Sequence, residues 1–326
     1  MDKKIRLVRG VCLLAALLSL CLGAARLSLP AIAEAIVRGP RDMSGYIFWY
    51  VRLPRTLACL LSGSALAVSG AVIQGVLHNT LASPSIIGVN AGAGLAVTAC
   101  CAFGVLSGWA IAGSAFLGAM VSVLLIVFAA EKVGASRTTV ILGGVAVNAF
   151  LNALSEAIVT LIPEAGMMAG DFRVGGFSSV AYVRLIPAGV LILLALFVVH
   201  TLHNELDVLA LGEEMARGLG MDVRKIRTLL LILAAMLSGS AVSFAGLLGF
   251  VGLIVPHAAR KITGSQSRFL IPMCAALGAA FVTLCDILAR VAFSPYELPV
   301  GILLSVLGGP FFLGLLMKRK GGRSHA

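Results

Sequence analysis

Ten apolar blocks, most of them roughly 20 residues long, succeed one another along this chain and dictate what it can fold into. They run Val8 to Ala25, Thr56 to Leu77, Ile86 to Leu106, Trp109 to Ala130, Thr138 to Ile162, Leu185 to Thr201, Thr228 to Leu248, Gly249 to His257, Leu270 to Phe293 and Leu298 to Met317. A helix rises ~1.5 Å per residue and the hydrocarbon core of a bilayer is ~30 Å thick, so the blocks match membrane crossings, the eighth being too short to span fully. The expected fold is all-α: a polytopic integral membrane protein of about ten transmembrane helices, with 1–326 as one transmembrane domain. Of the 326 residues 60% are hydrophobic and only 12% charged, too few polar groups to cover two soluble domains. The same figures exclude a disordered chain and a disulfide scaffold. Glycine, at 37 residues, recurs at small-residue spacings such as Gly63/Ala67, Gly88/Gly92 and Gly239/Ser243, which let helices approach closely where lipid supplies no hydrophobic drive.

The net charge of +11 reads as an orientation signal rather than as a polyanion-binding surface. If both termini are cytoplasmic, 17 of the 25 Lys and Arg fall inside: Lys3, Lys4, Arg6, Arg9, Lys132, Arg137, Arg217, Arg224, Lys225, Arg227, Arg260, Lys261, Arg268, Lys318, Arg319, Lys320 and Arg323. The remaining eight, Arg26, Arg38, Arg41, Arg52, Arg55, Arg173, Arg184 and Arg290, fall outside, and all are arginine. The first block also carries the pattern of a signal peptide, basic Lys3 to Arg9 and a Gly-Ala-Ala end, but the charge pattern favours an uncleaved first span.

Chemistry-bearing patterns are sparse. The seven cysteines, Cys12, Cys21, Cys59, Cys100, Cys101, Cys274 and Cys285, lie in apolar blocks without a C-x-x-C pair and read as small buried side chains. There is no P-loop, no H-E-x-x-H and no G-x-S-x-G, and the five histidines form no ligand set, so neither an enzyme nor a metal site is expected. Two acids fall inside blocks. Asp286, four residues before Arg290 on one helix face, reads as half of an ion pair near the outer end; Glu156 reads as lining a polar cavity or bonding between helices, with a transport role as the alternative.

Four stretches carry more specific information: Arg52-Leu-Pro-Arg55 with Gly70-Ala-Val-Ile-Gln-Gly75 and His78-Asn-Thr-Leu-Ala-Ser-Pro-Ser-Ile-Ile-Gly-Val-Asn-Ala-Gly92; Leu209 to Gly220; Gly249-Phe-Val-Gly-Leu-Ile-Val-Pro-His257; and Asp286-Ile-Leu-Ala-Arg290 with Glu297-Leu-Pro-Val-Gly301 and Gly308-Gly-Pro-Phe-Phe312. In this order and spacing, from about Leu53 to Met317, they resemble the FecCD family of permeases, the membrane subunits of ABC importers for ferric siderophores, haem and cobalamin. The resemblance implies a BtuC-like permease fold in a prokaryotic cell membrane. It also implies a second permease as homodimer or paralogous partner, two cytoplasmic ATPases that use ATP and Mg, and an extracytoplasmic binding protein. It implies no cofactor in this chain. The wording of the Ala82 to Asn90 stretch is closest to siderophore permeases, with haem or cobalamin after.

The resemblance also assigns roles. Arg52, Arg55 and Arg290 become outward docking arginines, a guanidinium fork suiting a carboxylate; otherwise they are interfacial side chains. Leu-Pro between the first two is expected to hold the backbone extended before the helix starts. Asn79 and Leu81, in an irregular stretch tolerated at membrane depth only under protein or in a water-filled cavity, become gate residues. Thr80 departs from the family's usual proline. Residues 205–227 form the longest polar interruption, with apolar positions at helical spacing between turns at Gly212 and Gly220. Glu213, Glu214, Ala216, Gly218, Leu219 and Gly220 are assigned there to ATPase contact, against the plainer reading of a surface amphipathic helix. His257 is expected to bond at a helix end. The extracytoplasmic loop 163–184 departs most from the family, and Met167, Met168, Phe172 and Phe177 are read as a soft vestibule or as packing. An ion-coupled secondary transporter and an intramembrane enzyme remain alternatives outside the family.

Overall fold

The computed structural model describes residues 2–23, 29–132, 137–292 and 296–321. Arg26 and Arg323 of the charge tally, and the Ala24-Ala25 end of the first block, lie outside them. The described residues are helical, without strands. The helices are α1 Asp2–Cys21, α2 Leu29–Arg38, α3 Met43–Tyr46, α4 Leu53–Leu77, α5 Val89–Ala102, α6 Gly108–Lys132, α7 Arg137–Leu161, α8 Pro163–Met168, α9 Gly170–Val174, α10 Tyr182–Thr201, α11 His203–Ala210, α12 Glu213–Gly218, α13 Val223–Ala245, α14 Val251–Thr263, α15 Ser267–Val291 and α16 Val300–Gly321. Each of the ten apolar blocks falls on a helix.

Among the described residues six helical stretches are long and apolar enough to cross a membrane: Met43–Leu77, Gly108–Ala129, Val140–Leu161, Tyr182–Thr201, Val223–Ala245 and Ser267–Val291. The apolar parts of α5 and α16, Val89–Ala102 and Val300–Gly314, are shorter. α14 begins after its block does and runs past it, so His257 lies inside the helix and not at its end. There it meets the Phe311 ring edge to face, with centroids 5.8 Å apart.

α4 is the hub, packed against α13, α14 and α15, and the glycines explain how. A methyl on Gly63 would sit 2.2 Å from the Gly278 carbonyl oxygen of α15, and one on Gly278 would sit 2.2 Å from that of Gly63. A methyl on Gly70 would sit 2.0 Å from the Gly252 carbonyl oxygen of α14, and one on Gly92 2.2 Å from the Gly118 carbonyl oxygen of α6. Backbones this close admit no Cβ, which is the physical content of the small-residue spacings. By contrast α7 and α10 turn Leu142, Phe150, Ile186, Leu193 and Phe197 outward, as lipid-facing helices do.

One correction concerns the start of α4. The Arg52-Leu-Pro-Arg55 stretch is helical, continuing from α3 through a π-helical turn over Ile47–Arg52. Pro54 sits in the first turn of α4, where a missing N–H and a fixed φ are compatible with a helix.

Candidate functional site

At one end of the bundle the C-termini of α1 and α15 meet the start of α4, and five charged side chains gather there. Asp286, fully buried, accepts from Arg55 through Nε and Nη2, the latter at 3.0 Å, and from Arg290 Nη2 at 3.0 Å. Glu297, ahead of α16 and about one-third exposed, takes Arg55 Nη1 at 2.7 Å. Arg290 also donates to Ser19 Oγ at 2.9 Å, and Ser19 shares a hydrogen bond with Thr56. Arg52 donates to the Leu22 carbonyl just beyond α1, as does Arg290. The expectation of outward-reaching arginines therefore needs correcting: Arg52, Arg55 and Arg290 are all buried and engaged within the chain. The local sequence explains this, since Asp286 lies one helical turn from Arg290 and a charge at this depth is stable only when paired and hydrogen-bonded.

Beside the cluster lies a cavity of about 360 Å³ lined in part by Met168, Asp171, Phe172, Arg184, Ser243 and Glu297. Its floor is backbone. α13 stops at Gly246 (φ 70°), where the chain leaves the helical ladder until α14, and the loop after α9 covers the break. Leu247 N–H donates to the Phe172 carbonyl at 2.9 Å, Gly176 N–H to Ala245 at 2.8 Å and Gly301 N–H to Gly175 at 3.2 Å. These bonds satisfy peptide groups that a broken helix would otherwise leave open at membrane depth. Of the four vestibule residues, Met168 and Phe172 line this cavity, Met167 projects away and Phe177 is core. Glu156 bonds between helices, one of its expected roles: its side chain is 60% exposed and pairs with Arg173 of α9.

At the opposite end, α4 closes at His78 in a left-handed conformation (φ 49°) and the chain runs without a helix to Gly88. Asn79 Oδ1 accepts the Leu81 N–H at 3.0 Å, turning the backbone back on itself, and both residues are half-buried. The rest of the segment is held by side chains the sequence reading missed. Asn148 of α7 donates to the Ser85 and Ile86 carbonyls at 2.9 and 2.8 Å, and Ser122 of α6 donates to Gly88 at 2.8 Å. An asparagine and a serine inside apolar blocks were the available signal.

The same end carries 205–227. Gly212 (φ 109°) and Gly220 (φ 82°) are the turns that bracket α12, as expected. Leu206, Leu209 and Ala216 face inward, Ala216 completely. Leu211, Met215 and Leu219 are each more than 60% exposed. Of the residues assigned to ATPase contact, Ala216 is buried in the packing, and Glu213 bridges Arg217 at 3.5 Å and Arg227 of α13. Glu214, Gly218, Leu219 and Gly220 lie on the exposed surface, joined by Leu211 and Met215. Asp222 caps α13, and its hydrogen bonds to the Lys225 ammonium and backbone N–H hold its carboxyl below the usual aspartate range.

Residues 11–318 match the FecCD transport family. The chain belongs to that family. This FecCD protein is 38% identical over 330 residues to the iron(3+)-hydroxamate import system permease protein FhuB of Bacillus subtilis (strain 168), covering 97% of this chain and 84% of that one. It is 34% identical over 302 residues to the Fe(3+)-citrate import system permease protein YfmE of the same organism, with 92% and 90% covered. It is 36% identical over 318 residues to the vitamin B12 import system permease protein BtuC of Salmonella paratyphi A, with 94% and 92% covered. Among solved structures, an inward-facing ABC transporter of the metal-chelate type superposes with a TM-score of 0.87 at 29% identity, covering 98% of this chain and 100% of that one. The FecCD chain is thus a multi-pass cell-membrane protein with the permease fold. Among its described residues no group of His, Cys, Asp and Glu could hold a metal ion.

Proposed function

We propose that this FecCD protein is a permease subunit of an ATP-driven importer that moves a ferric chelate of the siderophore class across the cell membrane. Likeness along nearly the full length to permeases for iron hydroxamate and ferric citrate carries the reading. In this account the end bearing 205–227 is cytoplasmic and the arginine cluster is extracytoplasmic, the orientation that puts 17 of the 25 basic residues inside.

The exposed Leu211, Met215 and Leu219, beside Glu214, form an apolar ridge along the 211–220 stretch that holds α12 and its two glycine turns. That ridge lies in a groove of a separate ATPase and passes its rigid-body motion to α13, to which α12 is tied by Glu213 and Arg227. At the other end, three guanidiniums face two carboxylates, so the cluster retains one excess positive charge for a carboxylate of a binding protein. The docking role of Arg52, Arg55 and Arg290 is thus exerted through a pre-formed buried platform, with Glu297 at its exposed edge. Asn79 and Leu81 form the inner constriction, held by Asn148. A second permease, homologous or identical, completes the pathway, and two ATPases and one binding protein complete the assembly.

Uptake competition tests the substrate class. With the cognate binding protein present, unlabelled ferric hydroxamate should abolish uptake of its labelled form and cobalamin should leave it intact. Cobalamin uptake without ferric-chelate uptake would move the chain to the vitamin B12 class, to which the BtuC likeness also points.

A further inference from the structure

A second cavity, of about 290 Å³, opens among the end of α4, α11, and the turn between α14 and α15. Its lower walls are apolar, including Val72, Leu206, Leu270 and Ile271, and its polar lining is Gln74, His78, Thr80, Arg260, Ser265 and Ser267, with no carboxylate. Gln74, 3% exposed, donates through Nε2 to the Gly252 carbonyl at 3.1 Å and accepts from Arg260 Nη1 through Oε1. That relay fixes the guanidinium on the cavity wall with a neutral partner. Among the described residues no ion pair reaches Arg260, whereas Arg55 and Arg290 of the opposite end are held by two acids. The nearby Asp207 lies outside the lining, where one of its oxygens accepts the Ser267 N–H at 2.9 Å. A half-buried cation oriented by an amide, sharing its cavity with hydroxyl donors from two segments and with apolar walls, has the chemistry of a receptor for a tetrahedral oxyanion.

We propose that this cavity binds a phosphate group, Arg260 being its charged anchor and Thr80, Ser265 and Ser267 its hydroxyl donors. Occupancy ties the 78–88 segment to the α14–α15 turn, so the ligand acts on the segment that holds Asn79 and Leu81. The phosphate has two sources, the headgroup of an anionic lipid or a free phosphate.

The test is thermal unfolding of the full-length protein in phosphate-free maltoside, titrated separately with inorganic phosphate and with short-chain phosphatidylglycerol. Saturable stabilisation by one of these is expected. Its midpoint should shift at least about tenfold in Arg260→Gln and in Ser265→Glu, which sets a carboxylate at the exposed mouth beside Arg260, and should be unchanged in Arg268→Gln. Ser265 is exposed, so its variant keeps the test open if Arg260→Gln fails to fold. Saturation by inorganic phosphate identifies a free anion, and saturation by the lipid alone identifies a headgroup. No saturable response to either, or equal responses in all three variants, would overturn the proposal.

Discussion

Replacing Asp286 by alanine removes the carboxylate that two buried guanidiniums share. Arg55 and Arg290 each reach it at 3.0 Å, and the side chains are 8% and 2% exposed, so water cannot take its place. At ~4 Å and an effective dielectric of about 20, one such pair is worth about 4 kcal/mol of attraction, largely offset in the native protein by desolvation of the ions. Truncation leaves that desolvation in place and deletes the attraction. It also leaves Arg55 with Glu297 as its one ion-pair partner among the described residues and Arg290 without its carboxylate. The expected loss of stability is about 3–5 kcal/mol, the range for breaking a buried pair on one side. Asp286→Asn keeps an acceptor and should fall between wild type and alanine. The assay is reversible unfolding in mixed micelles of maltoside and SDS, followed by tryptophan fluorescence. A loss below about 1 kcal/mol for the alanine variant would refute the reasoning, because an exposed or water-relaxed cluster behaves that way.

The same measurement checks the crossing of α4 and α15. Gly63→Ala places a methyl 2.2 Å from the Gly278 carbonyl oxygen and should cost about 1–3 kcal/mol, whereas Gly113→Ala, with no atom within 4 Å, should be near neutral. Asn148→Ala removes the side-chain donor to the Ser85 and Ile86 carbonyls; a loss of about 1–3 kcal/mol and faster hydrogen exchange at 82–88 are expected. Met215→Asp with Leu219→Asp changes exposed side chains, so stability should hold while affinity for the ATPase subunit, read by titration in micelles, falls at least about tenfold.

The layout was readable from sequence wherever a residue answers to lipid or to its own helix. Apolar length located the spans, glycine turns bracketed α12, and the four-residue spacing announced the Asp286–Arg290 pair. What escaped depends on contacts between segments distant in sequence. Arg55 and Asp286 are 231 positions apart, so no local pattern says that the arginines turn inward. Asn148 and Ser122 are single polar residues in apolar blocks, and their partners at 85–88 lie 34 to 63 positions away. α2, an amphipathic helix, was missed because it falls between apolar blocks. Leu53-Pro54 misled because proline before a helix and proline within its first turn share one sequence signature. Ala216 and Glu213 were assigned to a partner by motif, although one is packing and the other an internal bridge.

Uptake of labelled ferric hydroxamate into vesicles holding the full assembly, with ATP inside and the binding protein outside, tests the central claim most directly. The account predicts accumulation that requires ATP and the ATPase subunits and is lost in the Met215→Asp/Leu219→Asp variant. Equal accumulation without the ATPase, driven by an ion gradient, would contradict it.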